Sequence, residues 1–270
     1  MIDSGSGPNA KISIAPKIKA LLKSNQLRPQ AIINTHSHVD HSGGNGFLRR
    51  LWKSKILAHE AEANYVTDRL AALRDWFGRY AGYFPTTDLV QKDFMRESGP
   101  SCPVDRRLGD GSTIEVGDFT LEVIHSPGHS KGSVCLYEPK KKLLFAGDCV
   151  QGRGVRADFA TLPIYDDLAA YGDTLAKLSK IDASKTFLGH PFLPAGRTVL
   201  TGREFHRLIN ESLKMTSEID RTIKRIRVSR DEPDLLKVAR EISMKFGWSW
   251  SDSVPVFVLA TVESHLRTSQ

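Results

Sequence analysis

Short apolar runs alternate with amphipathic stretches along most of the chain, and polar turns separate them. Apolar runs bounded by turn residues predict strands, and apolar residues at helical spacing predict helices. The predicted strands are residues 31–34, 55–58, 113–116, 119–125, 133–137, 143–146 and 185–188, and the predicted helices are residues 16–22, 47–52, 61–83 and 165–178. Residues 88–107 are polar and contain proline and glycine, which predicts a mobile loop or cover.

After residue 200 the pattern is helical throughout. It predicts one helix over residues 202–228, a second that Pro233 opens and Gly247 closes, and a third that Ser253 with Pro255 opens. The expected domains are a mixed α/β domain over residues 1–200, with a helical and loop insertion over 61–107, and a helical region over 201–270.

A dense polar run follows the first predicted strand. His36, His38, Asp40 and His41 fall within six positions, which neither a solvated surface nor a helix face explains. In an extended segment, His36 and His38 point the same way because side chains alternate with period two. Imidazole nitrogens and carboxylate oxygens suit zinc, iron or manganese, so the run predicts one arm of a metal site.

Further candidate ligands follow later strands. His129 lies in the turn after residues 119–125, Asp148 follows 143–146, and His190 follows 185–188. A single Gly-Asp or Gly-His after a strand is more often a turn than a ligand. The recurrence of such groups at successive strand ends nevertheless favours metal binding.

Composition narrows the class of protein without naming a substrate. The 270 residues carry 38 basic and 31 acidic side chains, a net charge of +7 that permits an anionic substrate or nucleic acid. No apolar run approaches the roughly 18–20 residues of a membrane helix. The first residues lack the pattern of a secretion signal, and three widely spaced cysteines predict reduced thiols, so we expect a cytoplasmic protein.

The candidate ligands resemble the pattern of a known family. The run His36-x-His38-x-Asp40-His41 with His129, Asp148 and His190 resembles the metallo-β-lactamase fold superfamily, most closely its glyoxalase II-like hydrolases, over about residues 1–200. The resemblance implies a four-layer αββα sandwich with two divalent metal ions, zinc or alternatively iron or manganese. It implies that His36, His38 and His129 bind the first ion, that Asp40, His41 and His190 bind the second, and that Asp148 bridges them.

The chain also departs from individual branches of that family. Asp148 stands where the zinc β-lactamases have a cysteine, with Cys149 next, which argues against β-lactam hydrolysis. Pro191 follows His190 where glyoxalase II has glutamate, which argues against a glutathione thioester as the substrate. The full set of seven ligands argues for two metals rather than the single iron of the persulfide dioxygenases.

Two metals predict a hydrolase that activates water, with Asp40 and Asp148 as its catalytic carboxylates. The expected substrate is a small ester, thioester or lactone, which is what the resemblance most commonly implies for this motif set. No Gly-x-Ser-x-Gly motif is present to favour a serine nucleophile instead. One alternative is a nuclease for RNA or DNA, because residues 203–230 hold eight basic and four acidic side chains. A redox or degenerate member of the fold is a further alternative. By resemblance, the C-terminal helices and residues 61–107 form the wall of the substrate pocket.

Other polar residues have weaker expectations. Asp3 is expected to hydrogen-bond near the metal-bearing loops, as supporting residues of metal sites do. His59 is a candidate for the same role or for a structural one, and Cys149 is expected to be a small buried apolar residue. His206 and His265 are expected to face solvent.

The N-terminus carries a final expectation. Relatives reach the motif Ile2-Asp3-Ser4-Gly5 after two or three strands, whereas here it follows Met1 directly. We therefore expect the first sheet to lack its leading strands and to present an unpaired edge. Either another chain pairs with that edge or the natural protein begins further upstream, and the second interpretation is favoured.

Overall fold

The computed structural model describes residues 1–25, 29–83, 86–156, 160–228, 234–248 and 255–268. The chain divides into two compact units, residues 1–112 and residues 113–270. Each unit has its own sheet and its own helices. Among the described helices, none combines the length and the apolar character that crossing a bilayer requires.

The first unit contains a parallel sheet in the order β1-β2-β3. Its strands are β1 (Ala31–Ile33), β2 (Lys55–His59) and β3 (Arg106–Leu108). Its helices are α1 (Gly7–Asn9), α2 (Ala15–Asn25), α3 (Val39–Ser42), α4 (Asn45–Trp52), α5 (Ala63–Thr67), α6 (Arg69–Phe77) and α7 (Asp88–Ser98), with a π-helix over Ala10–Ile14 and a 3₁₀ turn over Gly78–Tyr80.

Residues 1–3 lie along β1. The Ile33 amide donates to the Met1 carbonyl at 2.9 Å, and the Asp3 amide donates to the Ile33 carbonyl at 2.9 Å. Ile32 and Ile56 of the adjacent strands are fully buried with Leu48 of α4, as expected for a parallel sheet that helices cover. This packing brings Asp3 to the end of β1, where the first group of candidate ligands begins.

The second unit contains a six-stranded sheet in the order β11-β10-β7-β6-β5-β4. Its strands are β4 (Thr113–Val116), β5 (Phe119–His125), β6 (Val134–Glu138), β7 (Leu143–Gly147), β10 (Lys185–Leu188) and β11 (Val199–Thr201), and β8 (Val155–Arg156) pairs with β9 (Ala160–Thr161) in a separate ribbon. Its helices are α8 (Leu168–Leu178), α9 (Gly202–Val228), α10 (Leu235–Phe246) and α11 (Pro255–Thr268).

Apolar side chains of α8 and α9 pack on one face of this sheet. Leu175 and Leu178 of α8 and Phe205 of α9 are buried in one cluster with Cys135 and Leu144 of the strands. Burial of a leucine or phenylalanine stabilises the folded state by about 1.5–3 kcal/mol. The strands that end at the second group of candidate ligands therefore rest on a well-packed layer.

Most of the predicted elements are confirmed, but residues 88–107 are not a loop. Residues 88–98 form α7 and residues 106–108 form β3, with an irregular segment between them. The Thr87 hydroxyl caps α7 by accepting from the Val90 amide, and Val90, Phe94 and Ser98 bury one stripe at a spacing of four. The polar residues between these positions concealed the stripe.

Two smaller differences concern the helical predictions. The predicted helix over 61–83 breaks into α5 and α6 because Asp68 leaves the helical conformation, and its carboxylate caps α6. The prediction of only helices late in the chain is wrong at β11, which pairs antiparallel with β10. The three tail helices are confirmed, although Pro233 and Ser253 lie outside the described residues. The boundary at residue 200 stays a prediction.

Candidate metal centre

The ligand candidates of the first unit lie together in the loop after β1 and in the short helix α3. His36 Nε2 lies 3.0 Å from His38 Nδ1, and His41 Nε2 lies 3.6 Å from Asp40 Oδ2. The ligand atoms of His36 and His41 are within 4.8 Å of each other. His36 and His41 are buried, while about half of the Asp40 side chain (49%) is exposed.

These distances fit a shared cation. Two nitrogens bound to one zinc ion at about 2.0–2.1 Å lie roughly 3–3.4 Å apart. The 3.0 Å between His36 and His38 falls in that range. Nitrogen and carboxylate donors of this kind suit zinc and iron better than magnesium or calcium.

Asp3 orients two of these imidazoles. Its carboxylate accepts hydrogen bonds from His41 Nδ1 at 2.9 Å, from the Thr35 amide at 2.8 Å and from the Thr35 hydroxyl at 2.8 Å. The Thr35 oxygen is also 3.1 Å from His36 Nδ1. A proton on Nδ1 of both histidines makes Nε2 the unprotonated nitrogen, which is the form that binds a metal. These are the hydrogen bonds that the expected supporting role of Asp3 requires.

Two charged residues that the sequence interpretation missed hold the same loop. The buried Glu62 carboxylate accepts from the Ser37 amide at 2.8 Å. The Arg69 guanidinium, 1% exposed, donates to the Ser42 hydroxyl at 2.9 Å, to the Ser42 carbonyl at 2.7 Å and to the Tyr65 carbonyl at 3.1 Å. Burial lowers the pKa of Arg69 to about 10, so it remains charged at neutral pH. In the sequence, a charged residue within a helical pattern does not indicate that it will hydrogen-bond to a distant loop.

The ligand candidates of the second unit come from three strand ends. His129 lies in the turn after β5, Asp148 directly follows β7, and His190 lies just beyond β10. The Asp148 Oδ2 atom is 3.9 Å from His129 Nε2 and 3.5 Å from His190 Nε2. One carboxylate oxygen therefore lies beside both imidazoles.

The backbone carbonyl of Ile164, 35 positions away along the chain, orients His129, and Gln151 holds that carbonyl. His129 Nδ1 lies 2.7 Å from the Ile164 carbonyl, so it carries the proton and leaves Nε2 as the unprotonated nitrogen, which is the form that can bind a metal. Gln151 Nε2 donates to the same carbonyl at 2.5 Å, and the Ile164 amide donates to Gln151 Oε1 at 2.9 Å. Sequence reasoning missed this pairing, because nothing local marks a glutamine or a backbone carbonyl as a partner.

The turn that carries His129 needs glycine at position 128. Gly128 has a φ of +128°, and a Cβ there would lie 2.4 Å from the Tyr171 Cα. Both the conformation and the close approach exclude a side chain. The turn is thereby pressed against α8.

The remaining candidate residues are His59, Cys149 and His206. His59 is buried and its Nδ1 accepts from the Ala61 amide at 3.3 Å. Cys149 is buried, and a hydrogen bond with Cys135 and burial raise the pKa of its thiol well above the usual value. His206 is exposed as expected.

The expectation that His265 faces solvent is wrong. It is fully buried, and its Nε2 lies 2.7 Å from the Tyr165 hydroxyl. On α11, His265 continues a face formed by Val258, Thr261 and Val262, which are also buried. Helical spacing places it on that inward face, and a polar residue there requires a polar partner.

Comparison with known proteins now identifies the family. The sequence model described as the metallo-beta-lactamase superfamily matches residues 1–190. The chain belongs to this superfamily, and the predicted fold class is confirmed.

Three individual proteins illustrate the likeness. Acyl-coenzyme A thioesterase MBLAC2 of Gallus gallus is 37% identical over 133 residues, which are 46% of this chain and 42% of that protein. The match therefore spans less than half of that relative's length. The metallo-beta-lactamase family protein TTHA1429 from Thermus thermophilus superimposes with a TM-score of 0.69 at 20% identity, over 99% of this chain and 83% of that one. TTHA1623 in a di-iron-bound form gives a TM-score of 0.51 at 25% identity, over 77% and 86%.

Proposed function

We propose that the chain is a metal-dependent hydrolase whose two groups of ligands jointly hold two divalent ions. The proposed ligands are His36, His38 and His129 for the first ion and Asp40, His41 and His190 for the second, with Asp148 shared. The observation that carries the proposal is the position of Asp148 Oδ2 beside His129 and His190, since these two histidines are assigned to different ions.

The chemistry follows from the donor set. When bound, two divalent ions supply an acidified water and a Lewis acid for the scissile carbonyl. Asp40 is the partly exposed carboxylate among the ligands, so we assign it the orientation of the attacking water and the acceptance of its proton. Asp3 keeps His41 in the tautomer that exposes Nε2, and Ile164 does the same for His129. Zinc is the proposed metal, and iron is the alternative supported by the di-iron form of TTHA1623.

The proposed substrate is a small thioester, with esters and lactones as related candidates. The likeness to the thioesterase MBLAC2 favours an acyl-coenzyme A thioester over the ester and lactone substrates. The nuclease alternative loses some support because two of the basic tail residues pair with carboxylates of their own helix. Lys214 lies 2.8 Å from Glu211, and Lys224 lies 2.7 Å from Asp220. Cytoplasmic location and a pocket wall formed by the tail remain predictions.

Asp148→Ala tests the proposal. Loss of the shared carboxylate should lower thioester hydrolysis at least about 100-fold and reduce the zinc bound per chain, since metal-based stabilisation supplies several kcal/mol. Turnover of an acyl-coenzyme A, a lactone and a labelled RNA would be measured together with metal content. Asp182→Ala is the control, because that carboxylate is 77% exposed. Full activity with unchanged metal content would overturn the assignment.

A further inference from the structure

The last helix contacts one short connecting segment through several hydrogen bonds. Residues 163–168, here called the connector, link β9 to α8, and residues 163–167 belong to neither a helix nor a strand. The Thr261 hydroxyl donates to the Pro163 carbonyl at 3.1 Å and lies 3.4 Å from the Tyr165 amide. The Leu168 amide donates to the Ser264 hydroxyl at 2.5 Å. Two more contacts join Tyr165 to His265 at 2.7 Å and Arg267 to the Asp166 carbonyl at 2.7 Å.

The other side of the connector contacts the turn that carries His129. The Ile164 carbonyl accepts from His129 Nδ1 at 2.7 Å. The amides of Asp166 and Asp167 donate to the Gly128 carbonyl at 2.8 and 3.2 Å. The connector therefore lies between α11 and a proposed metal ligand.

We infer that α11 is a positioning element for His129, acting through the connector. A segment without regular structure has backbone groups that need partners from elsewhere, and α11 supplies them through buried side chains. Fixing the connector fixes the Ile164 carbonyl, which sets the tautomer and the ring orientation of His129. Thr261, Ser264 and His265 thus act on the metal site without touching it.

This inference rests on the proposed metal site but differs from the expected role of the tail. A tail that only forms a pocket wall would affect substrate affinity and leave metal binding unchanged. A tail that positions His129 must affect metal binding, and its effect on substrate affinity is secondary.

The test is the double variant Thr261→Val, Ser264→Ala in the full chain. It removes three connector hydrogen bonds and leaves the apolar face of α11 in place. We expect zinc binding, measured by competition with a chelator, to weaken about tenfold, the lower end of the effect of supporting residues in metal sites. In the metal-free protein, nitrogen NMR of the His129 ring should change from a single Nδ1-protonated form to a mixture of tautomers.

Two further variants make the result specific. Thr261→Ser keeps the hydroxyl and should retain wild-type zinc binding. Thr222→Val is the matched control, because this buried threonine of α9 donates to the Glu218 carbonyl at 2.8 Å and accepts from Lys245 Nζ at 2.9 Å, and neither group belongs to the connector. It should leave the His129 signals unchanged.

A folded double variant with unaltered zinc affinity and His129 signals would overturn the inference, and so would a higher KM at unaltered zinc affinity. If the double variant does not fold, Ser264→Ala alone decides between the same outcomes. His129→Ala in an otherwise wild-type chain separates failure of this inference from failure of the proposed function. If the proposed metal site is wrong, His129→Ala leaves zinc binding intact.

Discussion

The two groups of candidate ligands are supported in different ways. In the first unit the ligands follow one another between residues 36 and 41, on a loop and a helix of four residues. Acidic and basic side chains hold that loop: Asp3, Glu62 and Arg69. In the second unit the ligands lie between residues 129 and 190 at the ends of sheet strands, and the neutral Ile164 carbonyl, itself held by Gln151, orients His129.

The difference follows from what each backbone does by itself. A strand end in a six-stranded sheet is held by its neighbours, so a neutral hydrogen bond worth about 0.5–1.5 kcal/mol is enough to orient a side chain. A loop lacks that support, and hydrogen bonds to charged groups, worth about 1.5–3 kcal/mol, replace it. The comparison predicts that charge changes around the first unit's ligands will have the larger effects.

Arg69→Met should have the largest effect on stability. The change keeps most of the aliphatic volume but leaves the Ser42 and Tyr65 carbonyls without their donor, at about 1–3 kcal/mol for each buried group. We expect the free energy of unfolding, measured in urea, to fall by about 2–4 kcal/mol. Arg74→Met on the same helix is the control, since its side chain is 67% exposed. Equal stability of the two variants would contradict a supporting role for Arg69.

Asp3→Ala and Gln151→Ala compare the two groups directly. Asp3 accepts three hydrogen bonds, one of them from a proposed ligand, so its loss should weaken zinc binding by about 10–100-fold. Gln151 is neutral and acts beside the Ile164 carbonyl, so its loss should weaken zinc binding by less, about threefold to tenfold. Chelator competition on both variants measures the order. An equal or reversed order would show that the sheet does not compensate for the weaker contacts.

Local pattern predicted the fold and singled out the ligand candidates, but it did not reveal the residues that hydrogen-bond to those candidates. His36 to His41 form a contiguous run, and Asp148 follows a clear strand, so both groups are visible in the sequence. Glu62 lies 25 residues from its partner Ser37, and His265 lies 100 residues from Tyr165. Contacts over such distances depend on tertiary packing, which periodicity does not describe. The missed helix α7 has a related cause, because its buried stripe is narrow and its other residues are mostly polar, with Leu89 and Met95 exposed.

The pH dependence of stability offers the smallest and most specific test, and it concerns only the second unit. Burial lowers the pKa of His265 to about 4 from its ordinary value of 6.5, although Asp220 at 3.8 Å partly opposes the shift and Lys224 adds to it. Below pH 6.5 the unfolded chain takes up a proton that the folded chain accepts only near pH 4, so the free energy of unfolding falls as the pH drops through this window. Well above pH 6.5 both states are neutral and the effect vanishes.

Between about pH 7 and about pH 5.5 this linkage should cost the folded state about 1 kcal/mol, and His265→Gln should remove that part of the pH dependence. Glutamine retains a hydrogen-bonding group for the Tyr165 hydroxyl but does not titrate in this range. His206→Gln is the matched control, because His206 is exposed on α9. Urea unfolding of the three proteins at both pH values measures the difference. If His265→Gln loses as much stability on acidification as the wild type, then His265 is not the group that couples protonation to the folding of the second unit.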